Sequence, residues 1–236
     1  MKRLRAGYAA CLLAFLSASC AGSASLVLRP DRSALIDVSV RLPAQLEAKL
    51  RSLSGVQSGP LFSAEAVSEG ASDSGLVVRS SRNEAAGYQG SFTAADLDQF
   101  IRSAGLAGAL TVKRGSGWAS LSLTIDRGTA PALVSLFPGL DQDLLEALQP
   151  PALYDNPVSQ DEYRSMLVAL LGTQAASALD TLDFSLSISV PGPILESEGF
   201  SAPRPGLAAS SRELAVPVLR ALTLERPLSF FIKWKE

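Results

Sequence analysis

The chain contains no histidine. This absence removes Ser-His-Asp and Cys-His catalysis, the imidazole general base, and most zinc and non-haem iron sites. Cysteine is almost missing as well: Cys11 and Cys20 are the only two in 236 residues. A thiol-rich site is therefore excluded, and any catalysis would rest on carboxylates, lysine, tyrosine or serine. Positive charge is not in excess either, the formal net charge being −2. Binding to a phosphate backbone needs a basic face, so no nucleic-acid partner is expected. Beyond the N-terminus no apolar run is long enough to span a bilayer.

What is present begins with the first twenty residues. Lys2, Arg3 and Arg5 form a basic segment, Ala9 to Leu16 a short apolar one, and Ser17-Ala18-Ser19-Cys20 a run of small residues. These are the parts of an export signal, and the apolar stretch is too short to be a spanning helix. The cysteine at this place resembles the lipobox of bacterial lipoproteins. That resemblance implies a diacylglyceryl group on the Cys20 thiol, cleavage just before it, and acylation of the new amine, palmitate being an expected chain. Leu16 stands one residue earlier than the lipobox pattern prefers. Ordinary cleavage after Ala21 or Ala24, or an uncleaved anchor, are the alternatives.

Cleavage before Cys20 removes three basic residues and no acidic one, leaving 217 residues with a formal charge of −5. Cys11 leaves with the signal, so no internal disulfide can form and the core must stabilise the fold. The expected organisation is a signal peptide at 1–19, a lipidated cysteine with a short tether at 20–25, and a single domain at 26–236. Length and a 47 % hydrophobic content suit one large domain.

Periodicity gives the elements. Leu26 and Leu28, a Pro30-Asp31-Arg32-Ser33 turn, and alternating Ile36, Val38, Val40 and Leu42 predict a hairpin with one buried face. Pro43 opens a helix carrying Leu46, Leu50 and Leu53, which Gly55 stops. A second hairpin turns near Asn83-Glu84, and Asp96 starts a helix with Leu97, Phe100 and Ile101. A third hairpin turns at Gly115-Ser116-Gly117 between Val112 and Leu121. No helix follows that glycine pair, so it reads as a turn rather than a phosphate cradle. Ser159-Gln160-Asp161-Glu162 matches a capping box ahead of Tyr163, Leu167, Leu170 and Leu171. Phe184, Leu186, Ile188 and Val190 then alternate with serines as a strand, and Leu214-Val218 and Phe230-Trp234 read as two more. Hairpins separated by short helices predict an α+β fold. The expectation is one mainly antiparallel, twisted sheet of six to nine strands, with the helices at 43–54, 94–104 and 130–180 on one face.

Three of these segments carry a resemblance to a family. The polar turn at Pro30–Ser33 close behind the lipid cysteine, the helix-opening Pro157-Val158-Ser159-Gln160-Asp161-Glu162-Tyr163, and the strand ending Val190-Pro191-Gly192 resemble bacterial envelope lipoproteins typified by LppM. The resemblance implies an α+β envelope domain that touches lipids. It brings no catalytic residues.

Candidate sites are few. Asp141, Asp143 and Glu146 cluster near a helix start, where the helix dipole favours carboxylates without a metal. Asp126, Glu146, Asp180 and Asp183 supply carboxylates, but no spacing selects a catalytic pair. No metal, cofactor or catalytic residue is expected. The surplus lies at 131–148, where Leu133, Leu136, Phe137, Leu140, Leu144 and Leu145 exceed one amphipathic stripe. They predict either burial or an apolar surface for a lipid or partner. The expected function is a non-enzymatic, lipid-anchored envelope protein that binds a partner or an apolar ligand. It would sit in the outer membrane or on the outer face of the cytoplasmic membrane. The alternatives are a lipid carrier or sensor with a cavity under residues 131–171, and a carboxylate-dependent cell-wall hydrolase.

Overall fold

Among the described residues ten strands form two sheets, not one. The computed structural model describes residues 20–55, 58–136, 142–154, 157–202 and 206–236; the signal segment 1–19 lies outside them. The strands are β1 (Cys20–Leu28), β2 (Ala34–Arg41), β3 (Val77–Glu84), β4 (Gly87–Ala94), β5 (Leu110–Gly115), β6 (Trp118–Ile125), β7 (Asp183–Ser189), β8 (Ile194–Glu198), β9 (Ser211–Pro217) and β10 (Leu228–Lys235). The six-stranded sheet runs β3-β4-β2-β1-β7-β9 and the four-stranded sheet β5-β6-β10-β8. Every pairing is antiparallel except β1 with β7. The α+β class holds, and the excess of antiparallel pairs follows from the hairpins.

Alternation places the core. Leu26 and Leu28 of β1 pair with Ile36 and Ala34 of β2 on one face, and Ile36 pairs with Phe92 of β4. The four-stranded sheet turns Ala119, Leu121, Ile232 and Trp234 inward. These meet Leu28, Ala34, Ile188 and Val190 in one cluster, so the two sheets face each other. The other face of the large sheet is covered with serines: Ser23, Ser25, Ser39, Ser91, Ser185 and Ser187 stand in paired register across β4, β2, β1 and β7. One continuous alternating pattern is compatible with one sheet or with two, which is why the number of sheets was not readable from it.

Residues 20–25, expected as a tether, belong to β1. Gly22 to Ser25 pair with Val40 to Asp37 on one side and with Phe184 to Ser187 on the other. Two neighbours supply hydrogen bonds to both edges of a stretch whose small residues alone would favour coil. The Phe184 ring lies over Gly22, where an added Cβ would stand 3.0 Å from it.

The helices are α1 (Ala44–Ser54), α2 (Ala64–Asp73), α3 (Leu97–Ser103), α4 (Ala130–Val134), α5 (Gln142–Leu148), α6 (Gln160–Leu171), α7 (Thr173–Asp180) and α8 (Val218–Thr223). The capping box is formed. The Ser159 hydroxyl oxygen accepts from the Glu162 amide at 3.2 Å, and the Glu162 carboxylate accepts from the Ser159 amide at 2.8 Å. Gly172 breaks the run between α6 and α7 at φ 81° and ψ 160°, backbone angles open to glycine.

Helices 130–180 do not cover a sheet face as expected. β2 ends, β7 begins and β9 ends at the Cys20 end of the large sheet, and there the chain enters α1, leaves α7 and enters α8. These helices bury Leu46, Leu50, Tyr163, Leu167, Leu171, Leu179 and Leu219 against one another. A separate helical core at one end of the sandwich is the result. Val218, read as part of a strand, opens α8 instead, because Pro217 ends the β9 ladder.

Candidate functional site

An apolar cavity of about 180 Å³ lies between the two sheets. Its floor is Ala24 and Leu26 of β1, Ile36 and Val38 of β2, Phe92 of β4, and Leu186 and Ile188 of β7. Leu110, Leu121 and Leu123 of the smaller sheet face them. Val67 and Ala71 of α2, Leu97 and Phe100 of α3, and Leu133 and Leu136 at α4 close the sides. Ser25 borders the space from β1, but its side chain belongs to the opposite, serine-covered face, where its hydroxyl donates to Asp37 at 3.3 Å. Among the described residues no ionisable side chain lines the space.

The space follows from the residues in one row across the large sheet. Val38 pairs with Ala24 on one side and Gly90 on the other, so three small residues stand side by side. Part of the gap is filled from the flanks. A Cβ at Gly90 would fall 2.3 Å from the Tyr88 hydroxyl and 2.7 Å from the Phe92 ring. The Tyr88 hydroxyl is in turn fixed at 3.0 Å from Ser81 Oγ, which donates to the Ala64 carbonyl at 2.8 Å. Ala24 borders the cavity on the other side of Val38.

The apolar residues singled out at 131–148 divide between two places. Leu133 and Leu136 border the cavity. Leu144 packs, partly buried, on the helical core with α1 and α6, and Leu145 is partly buried beside it on α5. Phe137 and Leu140 lie outside the described residues. Of the described residues in 131–171, Leu133 and Leu136 reach the space between the sheets, while Tyr163, Leu167 and Leu171 are buried in the helical core. Ala24, Val38, Leu186 and the α2 residues Val67 and Ala71 were missed as lining residues. Their signal in the sequence, small residues in neighbouring strands, becomes visible only with the strand register.

The titratable groups have local explanations. Burial raises the pKa of Tyr163, whose hydroxyl donates to the Leu148 carbonyl at 2.9 Å. Burial likewise raises that of Tyr88. Hydrogen bonds from Ser159 hold Glu162 below the usual carboxylate range. Hydrogen bonds from Arg164 do the same for Asp180, the two groups meeting at 2.6 Å on the surface. The Ser33 hydroxyl and amide lower Asp31 in its turn.

The four candidate carboxylates occupy four places. Asp126 follows β6 and accepts from the Thr129 amide, Glu146 is exposed on α5, Asp180 ends α7, and Asp183 begins β7. Asp141 lies outside the described residues, and no metal-holding group of acidic or sulfur ligands is found among the described ones. Among the described residues no helix is long and apolar enough to cross a membrane.

Comparison with known proteins adds little to this. No protein-family profile matches the chain, and no curated protein matches its sequence. A solved structure, the folded domain of LppM from Mycobacterium tuberculosis, superposes with a TM-score of 0.40 at 11 % identity. The superposition covers 91 % of this chain and 88 % of that one. The chain thus bears a weak resemblance to an LppM lipoprotein domain.

Proposed function

We propose that this chain is a lipid-anchored, non-enzymatic protein of the cell envelope that holds an apolar ligand between its two sheets. The observation that carries the proposal is the cavity. An apolar space of about 180 Å³, partly open to the outside, costs its lining side chains the packing contacts they would otherwise make. Two or three longer side chains in the Ala24–Val38 row would remove that cost. A core that keeps such a space unfilled behind an apolar wall is suited to an apolar guest. A short alkyl segment or a single ring fits the size, since a dry cavity of ~150 Å³ admits benzene.

Anchoring through Cys20 rests on the export-signal pattern in front of it. Two measurements test the two halves. Labelled palmitate should be incorporated by the wild type and not by Cys20→Ser, and equal labelling of both would end the anchoring claim. A fluorescent fatty acid should bind the unlipidated chain saturably at one site. A lack of saturation, or binding unchanged in Leu186→Trp with a normal melting curve, would end the ligand claim.

A further inference from the structure

We infer that the helical end of the domain lies directly on the bilayer surface, with the Pro30–Ser33 turn pointing away from it. The inference rests on the anchoring reading of Cys20 and adds an orientation to it. The backbone of Cys20 is already in register with Asp183, and Gly22 is bonded to both Val40 and Phe184. No spacer therefore separates the anchoring residue from the centre of a six-stranded sheet. Two residues of fully extended chain reach only ~7 Å. A diacylglyceryl group inserted in the leaflet then holds this end of β1 within about one strand spacing of the headgroups.

The topology says what else is at that level. β2 leaves the sheet at Arg41, β7 enters at Asp183 and β9 leaves at Pro217, so the starts of α1 and α8 and the end of α7 share it. Arg41 and Arg220 are exposed there, with no ion-pair partner among the described residues, at the height of the lipid phosphates. The carboxylates of Glu47 and Asp180 are taken by Arg51 and Arg164, and Asp183 is also engaged. At the other end of the same hairpin stand Arg29 and the Pro30–Ser33 turn. β2 has eight residues, which puts Arg29 and Arg41 roughly 25 Å apart at ~3.3 Å per residue. The occupant of the helical end is thus a lipid surface, and the far turn is free for other partners.

The cysteine chemistry makes the test clean. Lipidation consumes the Cys20 thiol and Cys11 leaves with the signal, so one introduced cysteine is the only free thiol. Arg41→Cys and Arg29→Cys, each lipidated by the host and purified, would carry a fluorophore. They would be placed in phosphatidylethanolamine–phosphatidylglycerol vesicles containing a headgroup nitroxide. The expected result is loss of most emission from the Arg41→Cys label and almost none from the Arg29→Cys label. Equal quenching of the two, in chains whose mass shows the lipid, would overturn the orientation and leave the anchor standing. Chains whose mass shows no lipid would overturn the orientation together with its premise.

Discussion

Filling the cavity should stabilise the protein while removing its ligand, and Ala24→Leu is the substitution that does it. Ala24 sits on β1 between Val38 and Leu186, on the inner face, and borders the space directly. Leucine adds three carbons at a strand position where alanine is a poor β-former. At ~0.8 kcal/mol per buried methylene the upper estimate is about 2.4 kcal/mol. Rotamer entropy lost by the new side chain lowers this by ~0.5–1 kcal/mol. A net gain of about 1.5 kcal/mol should raise Tm by roughly 3–6 °C for a domain of this size. Fluorescent fatty acid should then bind weakly or not at all, because the added atoms occupy the floor of the site. Thermal unfolding and probe titration on the same sample give both numbers. If neighbouring side chains already filled the space, leucine would overpack the row and cost ~1–3 kcal/mol instead. A lowered Tm would refute the reasoning, and so would a raised Tm with probe binding intact.

Other changes test the parts that hold the site. Ser159→Ala should destabilise the fold by about 1 kcal/mol, since it leaves the Glu162 amide without its cap; an unchanged denaturation midpoint would dissociate the box from stability. Tyr163→Phe should cost about 1 kcal/mol by removing the hydroxyl from the partly buried Leu148 carbonyl, and a neutral result would mean that water replaces the hydroxyl. Glu162 and Asp180 both have folded pKa values below their unfolded ones. Their contribution is thus present above about pH 4.5 and lost as the pH falls through the folded values. Glu162→Gln with Asp180→Asn should therefore lower Tm at pH 7 and flatten its decline between about pH 5 and 3; a parallel decline would contradict the sign.

Much of the local structure was legible, and little of the site. Phe184 to Val190 alternates in sequence and forms β7, because period two is a property of one strand. The Ser159–Glu162 spacing formed its box for the same reason: both bonds close within four residues. The pairing of β1 with β7 joins residues some 160 positions apart, and no local pattern encodes it. That pairing turned the Ala-Gly-Ser-Ala-Ser stretch from an expected tether into a strand and brought Ala24 to the centre of the floor. The leucine surplus at 131–148 predicted burial or a binding surface without deciding between them, because helices can satisfy each other as well as a sheet. Leu144 went to the helical core and Leu133 to the cavity.

The most direct measurement is native mass spectrometry of the protein extracted from its own membrane. The account predicts a covalent increment of a lipid on Cys20 and, besides it, one apolar molecule held non-covalently and released at higher collision energy. The Ala24→Leu chain should keep the first and lose the second. A wild-type spectrum with no non-covalent guest, or a guest retained undiminished by Ala24→Leu, would contradict the claim that the space between the sheets is a binding site.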